Sequence, residues 1–173
     1  GNTEVVKSLP FWMNWGGEVA KFEAVDDYNL RVTFAESFPI FAEFIASSTV
    51  GGPTPNGRKG LGMYAASHYL EQFHADFVGV DEANKLAEDA GFEGWAKYIL
   101  NRNDAPLNPD LPVMTPWLNI TTIADSQWIL ERNPYYFVTD NEGNQLPYMD
   151  RVVLTMTEDN NVLNLNAIAG QYD

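Results

Sequence analysis

Two runs that alternate apolar and polar residues, Gln127 to Arg132 and Arg151 to Thr157, constrain this chain's fold more than any other feature. In the first, Trp128 and Leu130 face one way and Gln127, Ile129 and Glu131 the other; in the second, Val152, Leu154 and Met156 share a side. A period of two marks half-buried strands. Between the runs lie Asn133-Pro134, Asp140-Asn-Glu-Gly-Asn144 and Leu146-Pro147, all turn formers. The pattern predicts strand, turn, strand, and then a helix. Asp159 suits its cap, Val162, Leu165, Ile168 and Ala169 its apolar face, and Gly170 its stop.

The earlier chain divides in the same way. Val19 to Val25 and Tyr28 to Phe34 read as the arms of a β-hairpin, with Asp26-Asp27 as turn material. Ser37 is placed to cap a short helix through Phe41, Phe44 and Ile45, with Pro39 in its first turn. From Tyr64 to Phe77 the spacing of Ala66, Leu70, Phe73 and Phe77 is helical. A second helix runs from Asp81 to Gly91 on Ala83, Leu86, Ala87 and Ala90. A third covers Glu93 to Arg102, with Trp95, Ile99 and Leu100 inward. Asn103 to Pro116 holds four prolines, so it is expected to be extended, to cross the surface and to deliver Trp117 to the strand region. The fold class is α/β in the broad sense, a mixed α+β segment with strands near 19–34, 126–133 and 150–157 and helices between.

Three phrases then occur in one order: Glu131-Arg-Asn-Pro-Tyr-Tyr136, Asp140-x-x-Gly-Asn-Gln-Leu-Pro-Tyr-Met-Asp150, and a helix ending Ala169-Gly-Gln-Tyr-Asp173. Together they resemble the family 5 extracellular solute-binding proteins, the oligopeptide-type binding subunits of bacterial ABC importers. Ala24 to Phe44 and Tyr64 to Phe77 match more loosely. Val113-Met-Thr-Pro-Trp117 departs from the family's Gly-Thr-Gly-Pro-Tyr by losing both glycines.

The resemblance implies part of a two-lobed type II periplasmic-binding-protein fold, built of antiparallel hairpins plus helices. Residues 1–173 would be a single internal segment of one lobe of a larger protein. It would hold a β-hairpin at about 18–35, a helical insertion at 64–102 and a strand-turn-strand-helix unit at 117–173. The implied function is non-catalytic capture of oligopeptides between two lobes for delivery to the membrane subunits of an ABC importer. An oligosaccharide-binding member is the alternative. The implied location is the periplasm or the extracellular face of a bacterial membrane, secreted or lipid-anchored, with a signal peptide outside this segment. Charged groups meeting peptide termini would lie largely in the other lobe, and none matches a position here.

Composition narrows the alternatives. Twenty-four acids against 10 bases give a net charge of −14, a field that repels nucleic-acid phosphates. Cysteine is absent, which removes disulfides, thiolate nucleophiles and zinc–cysteine sites. No apolar run reaches the roughly 20 residues that span a bilayer. Gly52-x-x-x-x-Gly57-Arg58-Lys59 lacks the Lys-Ser/Thr of a phosphate loop. His68 and His74 stand six apart, off the spacing of a helical metal pair. In Asp140-Asn-Glu-Gly143 the glycine comes too early for a calcium loop. No metal, cofactor or catalytic group is therefore expected. A carboxylate-based glycoside hydrolase remains as the different-class alternative, because sequence gives no carboxylate separation. For ligand contact the candidates are two tryptophans near loops, Trp12 and Trp117. Trp12, with Phe11 and Trp15, has either of two roles: packing into a core or stacking on a ligand.

Overall fold

The structure, a computed structural model, describes residues 2–5, 7, 9, 11–46, 65–157 and 159–172. The glycine-rich stretch from Gly51 to Gly62 lies outside the described residues. The chain forms two compact units, one running up to Leu100 and the other from Asn101 onward.

In the first unit β1 (Lys21–Ala24) and β2 (Leu30–Thr33) form the expected hairpin, antiparallel with Phe22 opposite Val32 and Ala24 opposite Leu30. Its turn is made by Asp26, whose carboxylate accepts from the Tyr28 amide at 2.9 Å and from the Asn29 side chain at 2.8 and 2.9 Å. These bonds, the Tyr28 amide first, hold the Asp26 pKa below its ordinary value. A 3-10 turn, Phe11–Asn14, delivers Trp12 to the hairpin. Its indole is 2% exposed, with ring centroids 6.2 Å from Phe22 and 6.3 Å from both Phe41 and Phe44.

Helix α1 (Phe41–Ala46) exists where expected but starts later than Ser37. Phe38 precedes Pro39, and a residue before proline is driven out of the α region. Ser37 instead offers its carbonyl to the Trp15 indole N–H at 3.1 Å, while the Trp15 ring stacks on Phe38 at 4.3 Å.

The predicted helix over 64–77 is broken into α2 (Ser67–Leu70), a 3-10 turn (Glu71–Phe73) and α3 (Ala75–Val78). His74 causes the break. Its backbone is extended and its Nδ1 accepts from the Asp76 amide at 3.1 Å, so the ring caps the next turn instead of continuing the last. Helices α4 (Val80–Asp89) and α5 (Trp95–Arg102) form the expected helical hairpin. Ala83 and Ala87 are fully buried, Trp95 and Ile99 nearly so. Gly91, at φ +80°, ends α4: its amide bonds to Glu88 and that of Phe92 to Ala87, which satisfies two orphan carbonyls. Asn84 Oδ1 accepts from the Trp95 amide at 3.1 Å and opens α5.

In the second unit the proline-rich stretch is not extended throughout, contrary to expectation. Ala105–Leu107 forms a 3-10 turn with Pro106 in its first positions, where a missing N–H costs nothing. Asn108, 1% exposed, donates from Nδ2 to the Arg102 carbonyl at 2.6 Å.

A short strand that alternation did not predict, β3 (Trp117–Asn119), joins β4 (Gln127–Arg132) and β5 (Arg151–Thr155). The sheet is antiparallel in the order β3-β4-β5, with Trp117 opposite Arg132 and Leu130 opposite Val152. Trp128 donates from its indole to Asn119 Oδ1 at 2.7 Å across β3 and β4. Helix α6 (Asn160–Ile168) is capped by Asp159, which accepts from the Asn161 amide at 2.7 Å, and is closed at Gly170, φ +68°. Its expected apolar face is not buried: Val162, Leu165 and Ile168 are exposed, Ile168 by 84%.

Candidate functional site

The second unit is organised by an excursion between β4 and β5, running from Asn133 to Asp150. Asn133, 3% exposed, holds its base. Its Nδ2 donates to the Thr115 carbonyl at 2.9 Å, and its amide donates to the Pro116 carbonyl at 2.9 Å. Its Oδ1 accepts from the Tyr135 amide at 2.9 Å. The side chain thereby bonds both the end of the proline-rich stretch and the turn that follows it. Gln145 reaches back from the second arm, donating from Nε2 to the carbonyls of Pro134 (2.8 Å) and Tyr136 (2.7 Å). The arms pair through Asp140 N to Asn144 O at 2.9 Å and Leu146 N to Val138 O at 3.0 Å, with Thr139 opposite Gln145.

Asp140 closes the tip. It accepts from the amides of Glu142 and Asn144, from the Asn144 side chain, and from the Tyr148 hydroxyl at 2.6 Å. The Tyr148 hydroxyl is the largest influence, and together these donors hold the Asp140 carboxyl well below the usual carboxylate range. The same bond raises the Tyr148 phenol above its ordinary value. The acidic run is a turn, as its spacing predicts. Among the described residues no group of three or more His, Asp or Glu is placed to hold a metal ion. At the base, Arg132 and Arg151 face Asp150 and Glu131 at 3.6 and 3.9 Å.

The two candidate tryptophans stand in different units. Trp12 is enclosed by Phe22, Phe41 and Phe44. Trp117 is half-buried at the start of β3, and its carbonyl accepts from the Thr115 hydroxyl at 2.8 Å. The most exposed rings of the second unit are others: Tyr135 at 90%, Phe137 at 76% and Tyr148 at 68%, all on the excursion. Alternation could not find them, because they lie outside the strands. The quoted phrases contain Tyr135 and Tyr148, together with Asn133 and Gln145, but not Phe137.

In the first unit an open depression of about 270 Å³ lies between Glu4, Asn84 and the start of α5, residues 93–97. Trp95 donates from its indole to Glu4 at 2.7 Å there, and Lys97 pairs with Glu93 one helical turn away. His74 packs edge-on against Trp95 and is half-buried, whereas His68 is exposed on α2. The carboxylates Asp26 and Asp27 sit at the hairpin turn, and among the described residues they belong to no group of three or more His, Asp or Glu placed to hold a metal ion. No described helix is long and apolar enough to cross a membrane.

Comparison with known proteins matches residues 5–173 to the family described as "Bacterial extracellular solute-binding proteins, family 5 Middle". The periplasmic alpha-galactoside-binding protein of Rhizobium meliloti (strain 1021) is 31% identical over 159 residues, 91% of this chain and 19% of that protein. A solved structure titled oligopeptide-binding protein OppA superposes on 100% of this chain and 25% of its own, with a TM-score of 0.79 and 35% identity. The periplasmic binding protein MelB of Agrobacterium fabrum C58, solved with stachyose, shares the fold. That match has a TM-score of 0.55 and 22% identity over 91% of this chain and 19% of MelB. The chain thus spans a fifth to a quarter of the length of these relatives. It belongs to the bacterial extracellular solute-binding proteins of family 5.

Proposed function

We propose that the chain is an internal segment of an extracytoplasmic solute-binding subunit. This subunit captures its ligand between two lobes without covalent chemistry and hands it to the membrane subunits of an ABC importer. The family match over residues 5–173 carries this reading. The internal anatomy agrees with it, since the residues that spell the family phrases are spent on shape: Asn133 and Gln145 bond backbone, and Asp140 bonds a turn. The relatives named as periplasmic binding proteins support a periplasmic or cell-surface location.

For the ligand, the sequence reading put oligopeptide first, and the 35%-identical structure carries that word in its title. The oligosaccharide alternative is supported by the relatives named for alpha-galactosides and solved with stachyose. Trp117 is proposed as an apolar wall beside the ligand, whereas Trp12, 2% exposed among Phe22, Phe41 and Phe44, presents no face for a ligand to stack on.

Small-angle scattering of the full-length protein tests two-lobe capture. Saturating stachyose or a mixed tripeptide pool is expected to shrink the radius of gyration as the lobes close. A bound ligand that leaves the profile unchanged would contradict hinge capture.

A further inference from the structure

His74 spends its ring on the turn that follows it. Its backbone is extended, at φ −98° and ψ 125°, and its Nδ1 accepts from the Asp76 amide at 3.1 Å at the start of α3. That bond carries a chemical condition. An imidazole nitrogen accepts only while it holds no proton, and a protonated ring donates from both nitrogens. Asp26 and Asp159 make comparable bonds with carboxylates, which stay acceptors at neutral and mildly acidic pH, whereas an imidazole changes charge between about pH 5 and 8.

A second acceptor stands on the same residue. Asp76 Oδ2 lies 3.8 Å from Nδ1, while Oδ1 is held by the Asn2 side chain at 3.2 Å. The carboxylate is thus about 1 Å short of a charge-assisted bond of ~2.8 Å. The ring is fixed on its other sides, edge-on against Trp95 with centroids 5.0 Å apart and against Phe77 at 5.6 Å, and its side chain stays 22% exposed to solvent protons.

The other charges on the neighbouring elements are engaged elsewhere or exposed. Glu4 accepts from the Trp95 indole, and Glu93 pairs with Lys97 at the start of α5. Glu71 in the preceding 3-10 turn and Asp81 and Glu82 in the first turn of α4 are exposed. Among the described residues, Asp76 supplies the carboxylate within ion-pair distance of the ring.

We propose that His74 is an acid-sensitive cap. While the ring is neutral, Nδ1 holds the Asp76 amide and α3 is closed. When the ring takes a proton from solvent, Nδ1 becomes a donor and turns from the Asp76 amide to the Asp76 carboxylate. The first turn of α3 then loses its cap. The bonds that depend on that turn are those from the Phe77 and Val78 amides to the His74 carbonyl and from the Gly79 amide to Ala75. The device lies within the first unit and needs no ligand.

Hydrogen exchange of the full-length protein, read by mass spectrometry over the amides of residues 76–79 and corrected for intrinsic rates, tests this at about pH 8 and pH 5. Wild-type protection is expected to be about fivefold lower at the acid pH, the size of a lost helix cap. His74→Asn supplies an acceptor that does not titrate, so its protection should be equal at both. Equal wild-type protection at both overturns the cap. A loss that His74→Asn shares in full also overturns it, because the proton then acts elsewhere. Should the variant fail to fold, a pH series on the wild type decides. A fall centred within the imidazole range supports the cap, and a fall confined below about pH 5, where carboxylates titrate, overturns it.

Discussion

Asn133 is the residue whose loss should be felt furthest. It is buried, and its side chain and amide bond to four backbone groups in two segments. Asn133→Ala leaves buried backbone groups without partners and is expected to cost about 2–3 kcal/mol, measured by urea denaturation of the full-length protein. A loss below 0.5 kcal/mol, the size of an ordinary surface change, would show that the excursion is held by other means. Trp12→Ala is expected to cost about 3–5 kcal/mol, and Phe11→Ala, at 69% exposure, far less.

Protonation acts at this scale too. Asp140, Asp26 and Asp125 all bind protons more weakly when folded: Asp140 through Tyr148 and Asn144, Asp26 through Tyr28 and Asn29, and Asp125 through the Thr122 amide and hydroxyl. Their stabilisation is therefore fully present above the unfolded carboxylate pKa of about 3.9 and is lost as pH falls through the lower folded values. Asp140→Asn should flatten the acid limb of stability against pH while leaving the slope above pH 5 unchanged. An unaltered acid limb would deny Asp140 its part.

Elements were legible where their boundaries are written in local chemistry. The hairpin at Asp26, the strands on either side of the excursion, the cap at Asp159 and the stops at Gly91 and Gly170 stand where spacing put them. The failures have physical causes as local, but of kinds that periodicity does not see. A proline behind Phe38 delayed α1, a histidine competing for its own backbone broke the 64–77 helix, and a 3-10 turn at Pro106 bent a stretch expected to be straight. Strand β3, only three residues long, is too short for alternation to register and is defined by its pairing with β4. Gly91→Ala forces a side chain into a positive φ and should cost about 1 kcal/mol, visible as a lower urea midpoint.

Helix α6 behaves differently. Its apolar residues match the predicted face, yet they are exposed, so periodicity found the face without finding its cover. If other parts of the full-length protein cover it, Ile168→Ser should lower the melting temperature by several degrees, as loss of a buried side chain does. No change would mark α6 as a surface helix.

For the molecule as a whole, the family was readable because short phrases recur in order. The phrases were read as a signature, and in this structure two of their residues, Asn133 and Gln145, hold the excursion's shape. The ligand surface was less legible. Sequence reasoning took Trp12 and Trp117 as aromatics near loops, and their exposure, 2% for Trp12 and intermediate for Trp117, is a property of packing that no spacing encodes.

A solute-binding subunit captures its ligand without covalent chemistry. The most direct test is calorimetric titration of the full-length protein with stachyose and with a neutral tripeptide pool, followed by chromatography of the recovered ligand. The account predicts saturable binding of stachyose near one per protein, with the sugar recovered intact. Cleaved sugar would show a glycoside hydrolase, and absence of binding to either probe would contradict solute capture itself.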